Sequence, residues 1–249
     1  MKETLLRQIA PTGPLRASIN LGNPVLAGRD AVSGEPCGVS VDLAQALAKR
    51  LGLSLQLLVF ESAGKSVDAV ARGEADIGFF ALDPQRAGQV RFTAPYVLIE
   101  GAYVVRESSP VRSMADVDVA GQRVMVGQGS AYDLFLTREL RHATVVRADT
   151  SPTVVDEYLQ GDVEIAAGVR QQLEADCRRL GGLRILPGSF MVIKQAMGIP
   201  ADRSDAALGE VWEFLETMKA KGFVARSLER QGINGAAIAP PQAIQRLAQ

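Results

Sequence analysis

The stretch GEADIGFF, residues 73–80, closes the strand–helix alternation that decides the fold of this chain. Before it, apolar patterning predicts a strand at 15–19 and a helix that Ser40 caps and Gly52 ends. A second strand and a second helix follow, and that helix stops at Gly73. The quoted stretch then supplies the third strand. Strands that alternate with helices pair in parallel, with the helices packed on the faces of the sheet. We therefore predict an α/β fold.

The second half of the chain repeats this order. Predicted strands at 123–126 and 144–146 are each followed by a helical pattern, and GDVEIA at 161–166 matches residues 73–78 in arrangement. In both stretches a helix ends at glycine, an acidic residue follows, and a strand begins. We expect two similar lobes, each with a parallel-dominated sheet flanked by helices.

Two long apolar stretches, 96–105 and 190–199, lie between these patterns. If both are strands that cross between the lobes, the first lobe is discontinuous. It then comprises 1–100 and 198–249, and the second lobe comprises 101–197.

The composition excludes several classes of protein. The 249 residues carry 27 Lys+Arg and 28 Asp+Glu, a formal net charge of -1, and 47% of them are hydrophobic. This balance argues against a nucleic-acid binder, which needs a basic surplus to engage phosphates. No apolar run approaches the ~20 residues that cross a bilayer, so we expect no direct membrane insertion.

Cysteine and histidine are too sparse for a disulfide framework or a zinc site. Cys37 and Cys177 are expected to be free thiols, and His142, the single histidine, is expected on the surface at a helix end. We therefore predict no metal and no cofactor. The first ten residues lack the sustained apolar segment of a secretory signal. A cytoplasmic chain and an exported chain that has lost its leader are both left open.

Two local patterns point to an anion-binding site. Arg86 follows the third predicted strand, and ligands of parallel sheets lie outside the carboxyl ends of the strands. Its guanidinium matches a carboxylate with two hydrogen bonds, although pairing with a nearby acid is an equal alternative. Residues 127–130 lead from a strand into a helix, where free N–H groups attract anions and Ser130 adds a hydroxyl. A plain capping turn is the alternative there. Together the patterns suggest an anion held from both lobes.

Two further features lie close to this site in the sequence. Gly64-Lys65-Ser66 ends like a P-loop, but Val59 stands where that pattern needs a glycine, so nucleotide hydrolysis is rejected. Lys65 then either points into the cleft from a helix start or is solvated. Phe79 and Phe80 offer flat apolar surface, and one of the two is expected to serve the core.

The ordered motifs of the chain resemble the bacterial extracellular solute-binding proteins of family 3, over about residues 15 to 232. The resemblance is carried by Gly38–Ala48, by Asp83–Arg86, by Arg91–Tyr96 (similar to Phe-Ser/Thr-x-Pro-Tyr) and by Val126–Ser130 (similar to Gln-x-Gly-Thr/Ser). It implies a two-lobe periplasmic binding protein type II fold with two hinge strands and a ligand trapped between the lobes. It also implies an ABC permease as partner.

The resemblance assigns roles to particular residues. Arg86 falls on the family's carboxylate-binding arginine, and Ser130 with Ala131 falls on the contact from the second lobe. Ala81 falls where the family often has Ser or Thr, so only its backbone remains to bind. The expected ligand-binding residues are Arg86, Ser130, Ala131, Ala81, Phe80, Asn20, Lys65 and Arg170.

Several positions at which the family places acids carry other residues in this chain. The acid that holds the ligand's ammonium group falls on Val169, beside Arg170. Another acid, at the end of the first strand, falls on Asn20, and the first acid of the signature is Ser40. A cation in a cavity without a carboxylate has no charged partner and is costly to desolvate. We therefore expect an anionic or neutral carboxylate-bearing ligand, an amino acid or an organic acid, rather than a basic amino acid.

The leading prediction is the solute-binding component of an ABC-type importer, without catalytic residues, and two alternatives stay open. Some relatives resemble cyclohexadienyl or arogenate dehydratases, which need an acid–base group beside the bound carboxylate. Lys65 and Glu100 are the candidates for that group. The other alternative is a cytoplasmic ligand-sensing protein that works without a permease.

Overall fold

The computed structural model describes residues 2–243, and it confirms the predicted α/β fold. The strands are β1 (Leu15–Asn20), β2 (Gly28–Arg29), β3 (Pro36–Cys37), β4 (Leu55–Phe60), β5 (Ile77–Ala81), β6 (Val90–Arg106), β7 (Arg123–Gly127), β8 (Thr144–Ala148), β9 (Ile165–Val169), β10 (Leu183–Ile185), β11 (Met191–Pro200) and β12 (Ala237–Ile238). The helices are α1 (Lys2–Ile9), α2 (Val39–Leu51), α3 (Ala63–Ala71), α4 (Ala131–Glu139), α5 (Val154–Gln160), α6 (Arg170–Leu180), α7 (Asp205–Ala220) and α8 (Phe223–Arg230).

The first part of the sheet has the strand order β4-β1-β5, with every pair parallel. Helices α2 and α3 connect these strands, as the alternation predicts, and Leu43 and Leu47 of α2 are fully buried. Because the strands run in one direction, their carboxyl ends meet at one edge of the sheet. Those ends are Asn20, Phe60 and Ala81, and they lie where a ligand is expected.

The other end of the sheet has the order β9-β7-β8, again with parallel pairs. Helix α4 follows β7 and α5 follows β8, so this part repeats the first. Its strands end at Gly127, Ala148 and Val169.

Two long antiparallel strands, β6 and β11, join these parts into one continuous sheet. Strand β11 pairs with β5 on one side and with β6 on the other, and β6 continues to β9. The register of β11 against β6 shifts between Gln195 and Gly198. We call the two parts lobe 1 (1–100 and 198–249) and lobe 2 (101–197). These bounds stay a prediction.

The start of α2 differs from the expectation. Its N-cap is Gly38, at φ 114°, and an ideal Cβ there would lie 2.5 Å from the Leu26 carbonyl oxygen. Only glycine fits both the backbone conformation and this close approach. Ser40 therefore does not cap the helix and lies buried in its first turn. Gly52 ends α2 in the left-handed conformation, which confirms the predicted stop.

Several smaller features of the sequence have a defined place in the fold. Cys37 and Cys177 are both free, and His142 is exposed just beyond the end of α4. Helix α7 packs against β6 through a buried face that includes Val211 and Phe214. Between residues 2 and 243, no helix has the length and apolar character that a membrane crossing requires.

Candidate functional site

A cavity lies between the strand ends of the two lobes. Lobe 1 contributes residues from the ends of β1 and β5 and from the loops and helix starts beside them, lobe 2 contributes the ends of β7, β8 and β9, and β11 forms the floor. The lining residues are Asn20, Gly22, Asn23, Leu26, Ser40, Ala63, Phe79, Phe80, Ala81, Arg86, Ser130, Ala131, Tyr132, Ser151, Val169, Ile193 and Gln195.

Arg86 is the charged residue of this lining, and it is 5% exposed. Its Nη1 donates to the Ala81 carbonyl oxygen at 3.2 Å, and its Nη2 donates to the Gly129 carbonyl oxygen at 2.9 Å. No carboxylate within residues 2–243 forms a salt bridge with it. Burial lowers the pKa of Arg86 to about 10, and the nearby Asp83 opposes that shift. The guanidinium thus stays positive at neutral pH, and its charge has no ion-pair partner in the described protein.

The acid closest to Arg86 in sequence is occupied elsewhere. The Asp83 carboxylate accepts two hydrogen bonds from Arg138 of α4, at 2.8 and 3.2 Å, and one from the Gln85 amide at 2.9 Å. Arg138 belongs to lobe 2 and Asp83 to lobe 1, so this ion pair bridges the cleft. It also leaves the guanidinium of Arg86 without an internal acid.

The lobes are in close contact at the cavity mouth. The Arg86–Gly129 hydrogen bond crosses between them, as does the Asp83–Arg138 pair. Gly129, at φ 69°, approaches so near that an ideal Cβ on it would lie 3.4 Å from the Gly64 Cα. The structure therefore shows a closed arrangement of the two lobes.

The turn from β7 into α4 presents backbone donors to the cavity. Ser130 caps α4 by accepting a hydrogen bond from the Asp133 amide at 3.0 Å. Asp133 in turn accepts from the Gly129 amide at 2.8 Å, so the turn is held from both sides. The N–H groups of Ala131 and Tyr132, in the first turn of α4, have no acceptor inside the helix. They lie at the positive end of the helix dipole, where an anion is favoured.

Neutral polar groups extend this wall of the cavity. Burial raises the pKa of Tyr132, and its hydrogen bonds with the Ser151 and Ser130 hydroxyls act in the opposite direction. Gly127 lets the chain at Ser151 approach, since an ideal Cβ on Gly127 would lie 2.6 Å from the Ser151 Cα. Tyr132 and Ser151 thereby reach the cavity from lobe 2 without adding charge at neutral pH.

Both phenylalanines line the cavity and both are buried. The Phe79 ring meets the Tyr96 ring edge-on, with the centroids 6.4 Å apart. The Phe80 ring lies so close over Gly78 that an ideal Cβ on that glycine would sit 2.1 Å from it. The expected division, with one ring for the core and one for the site, does not appear, because each ring does both.

Six of the eight predicted site residues line this one cavity, and two do not. Those brought together are Arg86, Ser130, Ala131, Ala81, Phe80 and Asn20. Lys65 is exposed and borders a separate outer pocket with Gln128 and Asp149. The Nε of Arg170 donates to Glu100 at 2.6 Å, outside the cavity lining. Lys65 and Arg170 therefore lie outside this cavity, because Lys65 turns to solvent and Arg170 turns to an acid, and their ligand-binding roles stay predictions.

The same placement bears on the enzyme alternative. Lys65 and Glu100 were its candidate acid–base groups, and neither lines the cavity. Residues 2–243 also contain no group of three or more His, Cys, Asp or Glu side chains arranged to hold a metal ion.

Sequence reasoning missed several lining residues, among them Asn23, Tyr132, Ser151 and Gln195. Ser151 follows the carboxyl end of β8, so the rule that located Arg86 also applies to it. Gln195 is a polar residue inside a long apolar stretch, and this interruption was an available signal.

Bacterial extracellular solute-binding proteins, family 3, match residues 25–231. No curated protein sequence matches the chain.

Three solved structures illustrate the likeness. The solute receptor for L-cysteine of Neisseria gonorrhoeae is 23% identical with a TM-score of 0.80, covering 92% of this chain and 95% of that chain. AbpA, an amino acid ABC transporter substrate-binding protein from Streptococcus pneumoniae bound to L-arginine, is 20% identical with a TM-score of 0.77, covering 90% and 96%. AncCDT-1, an ancestral amino acid-binding protein and precursor of cyclohexadienyl dehydratase, is 21% identical with a TM-score of 0.76, covering 92% and 99%.

These likenesses confirm the periplasmic binding protein type II fold that the motifs predicted. The family match covers most of the chain, from β2 and α2 of lobe 1 through lobe 2 to the end of α8. The chain belongs to the bacterial extracellular solute-binding proteins, family 3.

Proposed function

We propose that this protein captures a small carboxylate-bearing ligand between its lobes, by hinge closure, as the solute-binding component of an ABC importer. The observation that carries the proposal is the state of Arg86, which is 5% exposed, faces the cavity and has no salt-bridge partner within residues 2–243. A buried charge without a partner is costly, and a ligand carboxylate supplies the missing charge. Membership of the family supports the importer role and a permease as partner.

The geometry offers the carboxylate a second contact from lobe 2. The first-turn N–H groups of α4 and the Ser130 hydroxyl border the same cavity as the guanidinium. A ligand that touches both lobes favours the closed arrangement, because its contacts exist only there.

The lining restricts the rest of the ligand. Among the residues that line the cavity, Arg86 is charged and none is an aspartate or glutamate. The ligand is therefore anionic or neutral apart from its carboxylate, and arginine and lysine are excluded because their side-chain charge would be buried without a partner.

Calorimetry with purified protein tests the proposal. The panel contains monocarboxylic and dicarboxylic acids, neutral amino acids, arginine and lysine. We expect at least one acid or neutral amino acid to bind and the two basic amino acids to fail. Arg86→Gln removes the charge and should cost at least about a hundredfold in affinity, given the ~3–5 kcal/mol of a broken buried pair. Arg72→Gln, at an exposed lobe 1 arginine paired with Glu74, is the matched control and should change nothing.

Scattering tests the closure. The radius of gyration should fall when the tightest-binding carboxylate is added to ligand-free protein. Equal binding by Arg86→Gln, or an unchanged radius at saturation, would count against the proposal.

The similarity to AncCDT-1 gives one reason to examine dehydratase activity as well. Incubation with arogenate or prephenate, followed by product analysis, is the direct measurement. Turnover that survives Lys65→Met and Glu100→Gln would point to an acid–base group in the cavity itself, where Tyr132 is the titratable neutral candidate.

A further inference from the structure

We infer that Gln195 selects the second polar group of the ligand, and that this group is a neutral hydroxyl, carbonyl or amide rather than an ammonium. The inference rests on the proposed function, which assigns the ligand carboxylate to Arg86. It adds a recognition point and narrows the ligand to carboxylates whose remaining polar group is uncharged.

The first observation is the state of the Gln195 amide. The residue is 4% exposed and lines the cavity, yet its side chain forms no hydrogen bond with any group in the described range. The oxygen and nitrogen of its side-chain amide remain accessible from the cavity. Buried amides are nearly always bonded, so a free one that faces a cavity is available to an occupant.

The second observation is the position of Gln195 relative to Arg86. On the antiparallel ladder of β11 with β5, Gln195 lies directly opposite Ala81, whose carbonyl oxygen accepts from Arg86. Residues opposite each other on such a ladder project from the same face of the sheet, with Cα atoms about 5 Å apart. Since Gln195 and Arg86 line the same cavity, the amide and the guanidinium can contact one small ligand.

The third observation concerns the other amides of the cavity. The side-chain oxygen of Asn20 accepts from the Gly22 amide at 2.9 Å, and that of Asn23 accepts from the Val25 amide at 3.3 Å. Their oxygens are thus committed to the loop, which leaves the NH₂ donors for a ligand. Gln195 keeps both its oxygen and its NH₂ group.

These observations together disfavour an ammonium group. The asparagines present donors, which repel a cation, and Gln195 offers at most a neutral oxygen. Once the ligand carboxylate has neutralised Arg86, an ammonium would remain a buried charge without a partner. A hydroxyl, carbonyl or amide can use both halves of the Gln195 amide with no charge left over.

The test uses matched pairs of probes that share a carbon skeleton and differ in one group. The pairs are lactate with alanine, leucic acid with leucine, and phenyllactate with phenylalanine. Calorimetry on the wild type should give at least about tenfold tighter binding to the hydroxy acid in every pair that binds. Tighter binding to the amino acid would overturn the inference and leave the proposed function standing. Binding to no member of any pair would overturn the inference for this ligand class.

A variant then assigns the preference to its residue. Gln195→Met keeps the length of the side chain and removes the groups that would hydrogen-bond the ligand. Binding of the hydroxy acid should therefore weaken about tenfold, and binding of the amino acid by less than about twofold. Gln56→Met, at an exposed position on β4, is the matched control and should preserve the preference. A preference that survives in Gln195→Met refutes the assignment to Gln195.

The proposed function has its own readout in the same experiment. Arg86→Gln should abolish binding of both members of each pair, since it removes the carboxylate partner. Loss in Arg86→Gln together with an unchanged ratio in Gln195→Met would keep the proposed function and refute only the role of Gln195.

Discussion

Replacing Arg138 by glutamine is expected to weaken ligand binding even though Arg138 does not line the cavity. Its guanidinium holds the Asp83 carboxylate with two hydrogen bonds, at 2.8 and 3.2 Å, across the two lobes. The Asp83 side chain is 4% exposed in this arrangement and that of Arg138 is 32% exposed. Because the pair crosses between the lobes, their separation would break it, so Arg138→Gln is expected to destabilise the closed form and to leave the open form almost unchanged.

The magnitude follows from the burial of the two partners. Hydrogen bonds that involve a charged group contribute ~1.5–3 kcal/mol each, and exposure of the arginine reduces this toward the surface values. The Gln85 amide keeps its hydrogen bond to Asp83 in the variant. A net loss of about 2 kcal/mol for the closed form is therefore reasonable. That loss is about a 30-fold change in the ratio of closed to open protein and, where the ligand binds the closed form, in the apparent Kd.

A double-mutant cycle measures the interaction. Calorimetry with the tightest-binding carboxylate is run on the wild type, Arg138→Gln, Asp83→Asn and the double variant. Each single variant should show most of the loss of affinity. The double variant should bind only slightly more weakly than either single variant, because either change already breaks the pair. Arg179→Gln breaks ion pairs with Asp156 and Asp176 inside lobe 2 and should alter affinity by less than about twofold.

Two results would refute this reasoning. One is an apparent Kd for Arg138→Gln that matches the Arg179→Gln control. The other is additive losses in the double variant, which would mean that Asp83 and Arg138 act through separate contacts. Scattering adds an independent check, because ligand-free Arg138→Gln should have a radius of gyration at least as large as the wild type.

Three further outcomes are expected. Val169→Asp places a carboxylate in the cavity lining, so calorimetry should show tighter binding of amino acids relative to hydroxy acids, and an unchanged ratio would contradict the electrostatic argument. Asp76→Asn removes a fully buried carboxylate that accepts hydrogen bonds from the backbone and guanidinium of Arg16, at 2.9, 3.1 and 2.6 Å, and urea unfolding should show a loss of about 3 kcal/mol. The affinity for a carboxylate should be flat between about pH 6 and pH 9, because the pKa of Arg86, lowered by burial to about 10, keeps the guanidinium protonated there. The dependence of stability on pH has the same sign as for an ion-paired acid, because in both cases the unfolded chain holds the proton more tightly. The cost of burying this charge is complete below about pH 10 and is relieved only above it. A marked fall in affinity between pH 6 and pH 9 would assign carboxylate binding to another group.

The parts of the fold and site that local rules govern could be predicted from the sequence. Alternation of strands and helices fixes parallel pairing, and parallel pairing brings strand ends to one edge. Arg86 after β5 and Ser130 before α4 therefore line one cavity, although 44 positions separate them in the sequence. No long-range information is needed for that inference beyond the order of elements.

Side-chain direction at a helix start could not be predicted in the same way. Lys65 and Arg170 each lie in the first turn of a helix beside the cleft. Which way each side chain turns depends on partners distant in sequence, and Arg170 turns to Glu100 on β6, 70 positions away. An unpaired acid within reach captures a basic side chain, and the sequence does not give that distance.

Strand register hid the remaining site residues. Apolar composition marks β11 as buried, but the pairing of Gln195 with Ala81 places it on the face that borders the cavity. A shift of one position would turn the same side chain to the opposite face. The register of β11 against β6 also changes just after Gln195. The apolar pattern of the sequence therefore could not tell which face the Gln195 side chain occupies.

One short turn couples recognition of the ligand to closure of the lobes. The Arg86 amide donates to the Asp83 carbonyl oxygen at 3.0 Å, so the two side chains start from a common, hydrogen-bonded piece of backbone. The Asp83 side chain reaches Arg138 on α4, and the Arg86 side chain reaches the Gly129 carbonyl and the cavity. Both contacts lie at the β7–α4 side of lobe 2. If Arg138 did not take Asp83, that carboxylate would be a nearby internal competitor for the positive charge that the ligand needs. In the closed arrangement the first turn of α4 therefore borders the cavity, and the Asp83 carboxylate is held by Arg138 rather than by Arg86.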